Sequence, residues 1–261
     1  MNYVLMPIAH GVEFKIIDEN YATPLLENIS KYLTKEEKGY FIPLPYNYTT
    51  RTNSRQLQAF QATDAKLGNE ILRKLKHTVG SDVTWSFILA KNGGECFYTN
   101  FVRDVTNCIQ EALFKYPNAK IVCLGHSQGT QLFYSFLFDY PSMVDLFITM
   151  GSPISMNSGA FPDWGKIPTS LNAWINFWHD KDFISSRLQG CHPSPAIANF
   201  VQDYKTPNGW NPLFHLPNVI PIWGRGLTWV AAGLLAHVCY WKSDFVARTI
   251  AGRIKNLIKG S

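Results

Sequence analysis

The sequence has few charged residues, few cysteines and no long apolar run, and each shortage excludes a class of protein. Charged residues make up 16% of the 261 residues and hydrophobic residues 46%. That balance is typical of a globular chain and not of a disordered one. The length is sufficient for one large hydrophobic core. We therefore expect a single domain over residues 1–261.

The five cysteines form neither a disulfide framework nor a metal site. Their number is odd, their spacing is wide and no two of them form a Cys-x-x-Cys pair. The histidines do not pair with cysteines or with each other at ligand spacing, and no glycine-rich phosphate loop is present. We expect a reducing compartment, no metal and no cofactor. The cysteines are Cys96, Cys108, Cys123, Cys191 and Cys239.

Targeting and nucleic-acid signals are also missing. The N-terminus lacks the basic region, apolar stretch and cleavage site of a signal peptide. The longest apolar stretch, 227–241, is interrupted by Gly233 and His237 and is too short to span a bilayer. The net charge of +5 includes no arginine-rich arm. We expect a cytoplasmic protein that acts on a small-molecule substrate, binds no nucleic acid and makes at most transient contact with a membrane surface.

Short apolar runs alternate along the chain with segments of helical periodicity. Runs of this length, bounded by Gly, Pro, Asn or Asp, are typical of buried strands. The alternation predicts an α/β fold with a mostly parallel sheet and helices on both faces. Ligands of such sheets bind at the carboxyl ends of the strands, so the residues after each run are functional candidates. The predicted strands are 3–9, 39–44, 120–125, 144–150 and 173–178.

The strand 120–125 leads into Gly125-His126-Ser127-Gln128-Gly129, which fits the Gly-x-Ser-x-Gly pattern of a nucleophile elbow. A serine on a sharp strand-to-helix turn exposes its hydroxyl, and small residues two positions before and after it let the turn close. The helix predicted from Thr130 would point its N-terminus at the reaction centre and favour an oxyanion there. Ser127 is therefore the candidate nucleophile.

A serine hydroxyl needs a base that takes its proton. With this elbow, the acid and then the histidine follow the serine along the chain. His237 stands just before the predicted terminal helix, where the last loop should present the base. It is the preferred base, and His215 and His192 are the alternatives.

The acid should orient the imidazole and stabilise its charged form. It is expected after the strand 173–178, in a loop that contains both Asp180 and Asp182. Asp182 precedes two apolar residues and is preferred, while Asp180 remains an alternative. Asp203 is a more distant third candidate.

The oxyanion of an acyl-transfer reaction needs two main-chain N–H donors. One donor comes from the residue after the nucleophile, which is Gln128. The other is expected from the loop after the first strand, where His10-Gly11-Val12 stands. The Val12 amide is the candidate for that second donor.

Five short segments, spread over nearly the whole chain, occur in an order that matches a known family. They are His10-Gly11, Gly125-His126-Ser127-Gln128-Gly129-Thr130, Met150-Gly151-Ser152-Pro153, Asp182-Phe183-Ile184 and Ala236-His237-x-x-Tyr240-Trp241. Together they resemble bacterial α/β-hydrolases of the lipase and esterase kind, and the elbow alone also resembles acid lipases. The resemblance implies a serine hydrolase that cleaves acyl esters through a Ser-His-Asp triad and an acyl-enzyme. It also implies a reduced fold, because the sheet begins at what is usually the third strand.

The segment between the preferred acid and base is long. Asp182 and His237 are separated by 54 residues, more than one helix and one strand require. The excess, 186–226, predicts a cap within the single domain. Its aromatic side chains would line an apolar cavity, which makes an acyl ester the expected substrate, with lipids as one candidate class. These aromatic residues are Phe200, Tyr204, Trp210, Phe214 and Trp223.

Two other functions are compatible with much of this pattern. A phospholipase-type effector or toxin would use the same triad on a membrane lipid. A catalytically inactive binding protein would keep the fold, although such proteins usually lose the serine or the histidine, and both are present here.

Overall fold

The computed structural model describes nine stretches of the chain. They are residues 1–10, 20–46, 97–140, 142–154, 166–182, 184–185, 187–190, 192–207 and 236–260.

Among the described residues, six strands form one sheet, and all neighbouring strands run parallel. The strands are β1 Val4–Ala9, β2 Phe41–Tyr46, β3 Lys120–His126, β4 Leu146–Met150, β5 Trp174–Trp178 and β6 Val201–Lys205. The spatial order is β2-β1-β3-β4-β5-β6, which confirms the predicted parallel sheet. The order reverses between β1 and β3, so the crevice at their carboxyl ends is a topological switch point.

Helices cover both faces of this sheet, as the sequence predicts. Alternate residues of each buried strand point to opposite faces. The helices are α1 Thr23–Tyr32, α2 Lys35–Tyr40, α3 Phe97–Lys115, α4 Gln128–Asp139, α5 Pro195–Phe200 and α6 Asp244–Lys259, with a short 3₁₀ helix at Cys239–Lys242. On one face Val122 and Leu124 of β3 pack with α1 and α6, and on the other face Ile121 and Cys123 pack with α3 and α4.

Part of the predicted cap segment belongs to the sheet layer instead. Within 186–226, residues 195–205 form α5 and β6, and β6 pairs with β5. The ring of Phe200 packs against the core on the α3–α4 face. The ring of Tyr204 stacks on Phe177 of β5, with 5.5 Å between centroids. Both aromatic residues are therefore packing residues of the domain. Residues 208–226 of the predicted cap, with Trp210, Phe214 and Trp223, lie outside the described residues.

Within the described ranges, no helix is long and apolar enough to cross a membrane.

Two glycines in helices provide a matched test of the packing. A Cβ on Gly129, in the first turn of α4, would lie 2.7 Å from the carbonyl oxygen of His10. A Cβ on Gly252, in α6, would meet nothing within 4 Å.

We expect Gly129→Ala to lower the free energy of unfolding by about 1–3 kcal/mol, because the end of β1 must shift. Gly252→Ala should raise it by about 0.8–1 kcal/mol, because alanine is the better helix former. Denaturant unfolding of both variants measures the difference. Equal changes in the two variants would contradict the close approach of α4 to β1.

Candidate active site

The turn between β3 and α4 has the geometry of a nucleophile elbow. Ser127 has φ 54° and ψ −126°, a left-handed backbone that a non-glycine residue seldom adopts. A Cβ on Gly125 would lie 2.7 Å from the main chain of Thr130, and Gly129 lies against the carbonyls that end β1. The two small residues predicted from the sequence are thus needed, because larger side chains would not fit the turn.

Helix α4 begins directly after this turn. Its first residue is Gln128, two positions earlier than the predicted start at Thr130. The N–H of Thr130 donates to the carbonyl oxygen of Ser127 at 3.0 Å, and its hydroxyl donates to the same oxygen at 2.6 Å. The predicted oxyanion donor, Gln128, is thus the first residue of α4, and it is buried.

Asp182 and His237, which are 55 positions apart in sequence, are in direct contact. The imidazole Nδ1 is 3.1 Å from Oδ1 and 3.0 Å from Oδ2 of the carboxylate. Both residues are buried, with 3% and 2% of their surfaces exposed. In a buried setting such a pair is screened little by solvent, so it fixes the orientation of the imidazole.

Three further donors hold the Asp182 carboxylate. The N–H groups of Ile184 and Ser185 donate to Oδ1 at 3.0 and 3.2 Å, and the Tyr240 hydroxyl donates to Oδ2 at 2.9 Å. Burial opposes ionisation of Asp182, but the charge and hydrogen bond of His237, with the Ile184 and Tyr240 hydrogen bonds, lower its pKa. The carboxylate is therefore ionised at neutral pH.

An ionised carboxylate can only accept hydrogen bonds, so Nδ1 of His237 carries the proton that lies between the two side chains. In the neutral ring, the lone pair then resides on Nε2. That is the protonation state required of a general base.

The end of β4 lies against both the elbow and the imidazole. The N–H of Ser127 donates to the carbonyl oxygen of Met150 at 2.9 Å. The next residue, Gly151, has φ 58°, and a Cβ there would lie 3.0 Å from Cε1 and Nδ1 of His237. The glycine allows the ring to approach the strand end that also holds the Ser127 main chain.

The alternative acid, Asp180, has different partners. It is exposed, accepts a hydrogen bond from Lys205 Nζ at 3.0 Å and lies 3.4 Å from Nδ1 of His179. The hydrogen bond from Lys205 lowers the pKa of Asp180. The structure therefore brings Asp182, and not Asp180, to His237.

The third candidate, Asp203 of β6, belongs to a buried polar chain across the sheet. The Trp174 indole N–H donates to the Thr149 hydroxyl at 3.0 Å, and that hydroxyl donates to Asn176 Oδ1 at 2.8 Å. Asn176 Nδ2 then donates to Asp203 at 2.9 Å, as does the N–H of Leu188 at the same distance. Asp203 thus ties β6 and the loop after β5 to the sheet, and burial raises its pKa.

The remaining candidates for the base and for the oxyanion loop lie apart from the Asp182–His237 pair or outside the described residues. His192 accepts from the N–H of Ser194 at 3.0 Å, in the turn before α5. His10 is buried at the end of β1, with its ring 4.4 Å from that of Tyr21. The alternative base His215 and the oxyanion candidate Val12 lie outside the described residues.

Sequence reasoning assigned no role to two residues that contact the pair. Tyr240 follows His237 by three positions, which is one helical turn, so its hydroxyl reaches the same carboxylate. His126 precedes the nucleophile, whereas the predicted base follows the serine in the chain. Its Nε2 is 2.6 Å from the carbonyl oxygen of His237.

Among the described residues, no group of three or more His, Cys, Asp or Glu side chains could hold a metal ion.

Comparison with known proteins finds similarity at the level of solved structures alone. No protein-family model and no curated protein sequence matches the chain. A cutinase-like protein from Cryptococcus sp. is 12% identical over 97% of this chain and 93% of that chain, with a TM-score of 0.40. A siderophore hydrolase from Aspergillus nidulans is 13% identical over 99% and 72%, with a TM-score of 0.40. A putative hydrolase of the α/β superfamily from Xanthomonas campestris pv. campestris is 14% identical over 88% and 96%, with a TM-score of 0.39.

The Tyr240 hydroxyl provides a test of the buried carboxylate. We expect Tyr240→Phe to lower the free energy of unfolding by about 1–3 kcal/mol at neutral pH, because a buried carboxylate loses a donor. The depressed pKa of Asp182 stabilises the fold above the unfolded pKa of about 3.9, and this stabilisation is lost as pH falls through the folded value. Because the variant raises that folded pKa, its acid unfolding should begin at higher pH.

Tyr32→Phe is the matched control, since the Tyr32 hydroxyl donates to Asp244 at 2.6 Å on the protein surface. It should leave the melting temperature and the acid unfolding midpoint nearly unchanged. Thermal melts of both variants across the acid range make the comparison. Equal effects of the two variants would contradict a special role of the Asp182 environment.

Proposed function

We propose that the protein is a serine hydrolase that cleaves carboxylic esters. Ser127 is the nucleophile, His237 the general base and Asp182 the acid that orients the base. The observation that most supports the proposal is the buried Asp182–His237 hydrogen bond beside a strand-to-helix turn with a serine at its tip. These groups lie at the carboxyl ends of central parallel strands, where ligands of such sheets bind.

In the first half of the reaction, the Ser127 hydroxyl oxygen attacks the ester carbonyl while Nε2 of His237 takes its proton. The ionised Asp182 stabilises the imidazolium and holds the ring in the correct tautomer. The imidazolium then gives the proton to the leaving alcohol, and the carbon–oxygen bond of the ester breaks. The acyl group remains on Ser127.

In the second half, water attacks the acyl-enzyme. His237 takes a proton from the water, the acid leaves and the proton returns to Ser127. The tetrahedral oxyanion of each half accepts a hydrogen bond from the Gln128 main chain, and Val12 is our sequence-based candidate for the second donor. Removing one such donor typically costs about 3 kcal/mol of barrier stabilisation.

The substrate proposal is an acyl ester, and lipids are one class to test. Of the five aromatic residues expected around the substrate, Phe200 and Tyr204 pack within the domain. We therefore propose acyl esters in general as the substrate class, and lipids as a narrower class within it to be tested. Phospholipid vesicles belong in the assay, because a phospholipase-type effector would use the same three residues.

The first test of the proposed function concerns the nucleophile. A fluorophosphonate should label the wild-type protein and fail to label Ser127→Ala, because the hydroxyl oxygen is the atom that bonds to phosphorus. Hydrolysis of short-chain and long-chain p-nitrophenyl esters should fall by roughly 10⁴-fold or more in the same variant. Ser135→Ala, in the same helix, should label and hydrolyse like the wild type.

A wild-type protein that neither labels nor cleaves any ester would contradict the proposal and favour an inactive binding protein. Release of fatty acid from phospholipid vesicles, lost in Ser127→Ala, would specify the phospholipase alternative.

The second test of the proposed function distinguishes the two candidate acids, Asp182 and Asp180. Asp182→Asn should lower kcat by roughly 10⁴-fold, because the amide can donate to Nδ1 and so favour the wrong tautomer of His237. Asp180→Asn removes a charge from the same loop, but this exposed carboxylate pairs with Lys205 and His179 and does not contact His237, so kcat should change little. Steady-state kinetics of the two variants measure the difference. A greater loss in Asp180→Asn would overturn the assignment of the acid.

A further inference from the structure

A second imidazole, that of His126, lies beside His237 and has no part in the proposed reaction. His126 is the last residue of β3 and follows Val122 and Leu124 on the face toward α6. It is only 3% exposed. Its ring centroid is 4.7 Å from that of His237 and 5.2 Å from that of Trp241.

The hydrogen bond of this ring fixes its tautomer. Its Nε2 is 2.6 Å from the main-chain carbonyl oxygen of His237, and a carbonyl can only accept, so Nε2 carries the proton and donates. Burial, with the nearby charge of His237, lowers the pKa of His126 to about 3. The ring is therefore neutral at neutral pH, and its Nδ1 carries no proton.

Nδ1 of His126 is buried, and nothing among the described residues donates a hydrogen bond to it. A phenyl ring would fill similar space without burying an unpaired nitrogen, so packing alone does not explain the imidazole. What the imidazole provides and a phenyl ring lacks is the Nε2–H donor. That donor contacts the main chain of the residue proposed as the base.

We propose that His126 is a positioning residue, whose Nε2–H holds the main chain of His237 and thereby keeps the base between Asp182 and Ser127. The inference depends on the proposed function above. His126 and Ser127 are consecutive residues at the end of a central strand, so the nucleophile and the group that holds the base move together. Placing functional groups on one rigid element limits errors in their separation.

The first test compares two substitutions of His126 in the full-length protein. His126→Phe retains a ring but removes the donor, and we expect kcat to fall by roughly 100-fold with little change in KM, the typical effect of a 1 Å misplacement. His126→Gln offers an N–H donor at a similar reach and should recover most of this loss. His192→Phe, which replaces another buried histidine outside the Asp182–His237 pair, should leave kcat close to that of the wild type.

Fluorophosphonate labelling distinguishes failure of this inference from failure of the proposed function. If the wild type labels and His126→Phe labels at the same rate, the positioning role is overturned and the hydrolase proposal stands. If the wild type does not label, the proposed function is overturned. Equal loss of kcat in His126→Phe and His126→Gln would indicate that the donor is irrelevant, and would also overturn the inference.

The second test needs no substitution at His126 and so does not depend on variants that fold. In wild-type protein with ¹⁵N-labelled histidine, the His126 ring should remain neutral and protonated at Nε2 throughout the pH range in which the protein is folded and active. A ring protonated at Nδ1, or one that titrates near neutral pH, would overturn the inference. Spectra that connect each imidazole ring to its own main-chain amide assign the resonances in the wild-type protein.

Discussion

The close approach of three chain segments around Ser127 is the constraint on which the site depends. Gly125 contacts the main chain of Thr130, and Gly129 lies against the carbonyls that end β1. Neither position has room for a side chain, so the turn closes tightly enough to hold Ser127 in a left-handed conformation. The packing of the central strands thereby sets the direction of α4, which begins just after β3, beside the switch point between β1 and β3.

The Asp182 carboxylate links the site to the stability of the domain. Its donors come from the loop after β5, from His237 and from Tyr240 one helical turn later. Burying a carboxylate is costly unless donors surround it, and here they come from two distant parts of the chain. The contacts that stabilise the ionised acid therefore also hold the segment that carries the imidazole in place.

Much of the fold could be predicted because buried parallel strands are continuous apolar runs that are visible in the sequence. β6 was missed because it is an edge strand with polar residues such as Gln202 and Lys205. α2 was missed although Thr34 and Glu37 form the capping box that begins it, since only the apolar run beyond it was recognised. At the site, the sequence indicated the loop that contacts His237 and favoured Asp182, but it left Asp180 open, because that choice depends on which carboxylate faces inward.

The polar chain that ends at Asp203 has a consequence for association between molecules. β6 forms an edge of the sheet as described, and an edge strand presents main-chain groups to which another chain could add. In the observed register, the Asp203 carboxylate accepts hydrogen bonds from Asn176 and from the loop amides, and it lies 3.8 Å from Nε of Arg187. A β6 shifted in register would move this buried carboxylate away from these donors, at a large cost in free energy. The carboxylate thus fixes the register of β6, and with it the main-chain groups that this edge presents to another molecule.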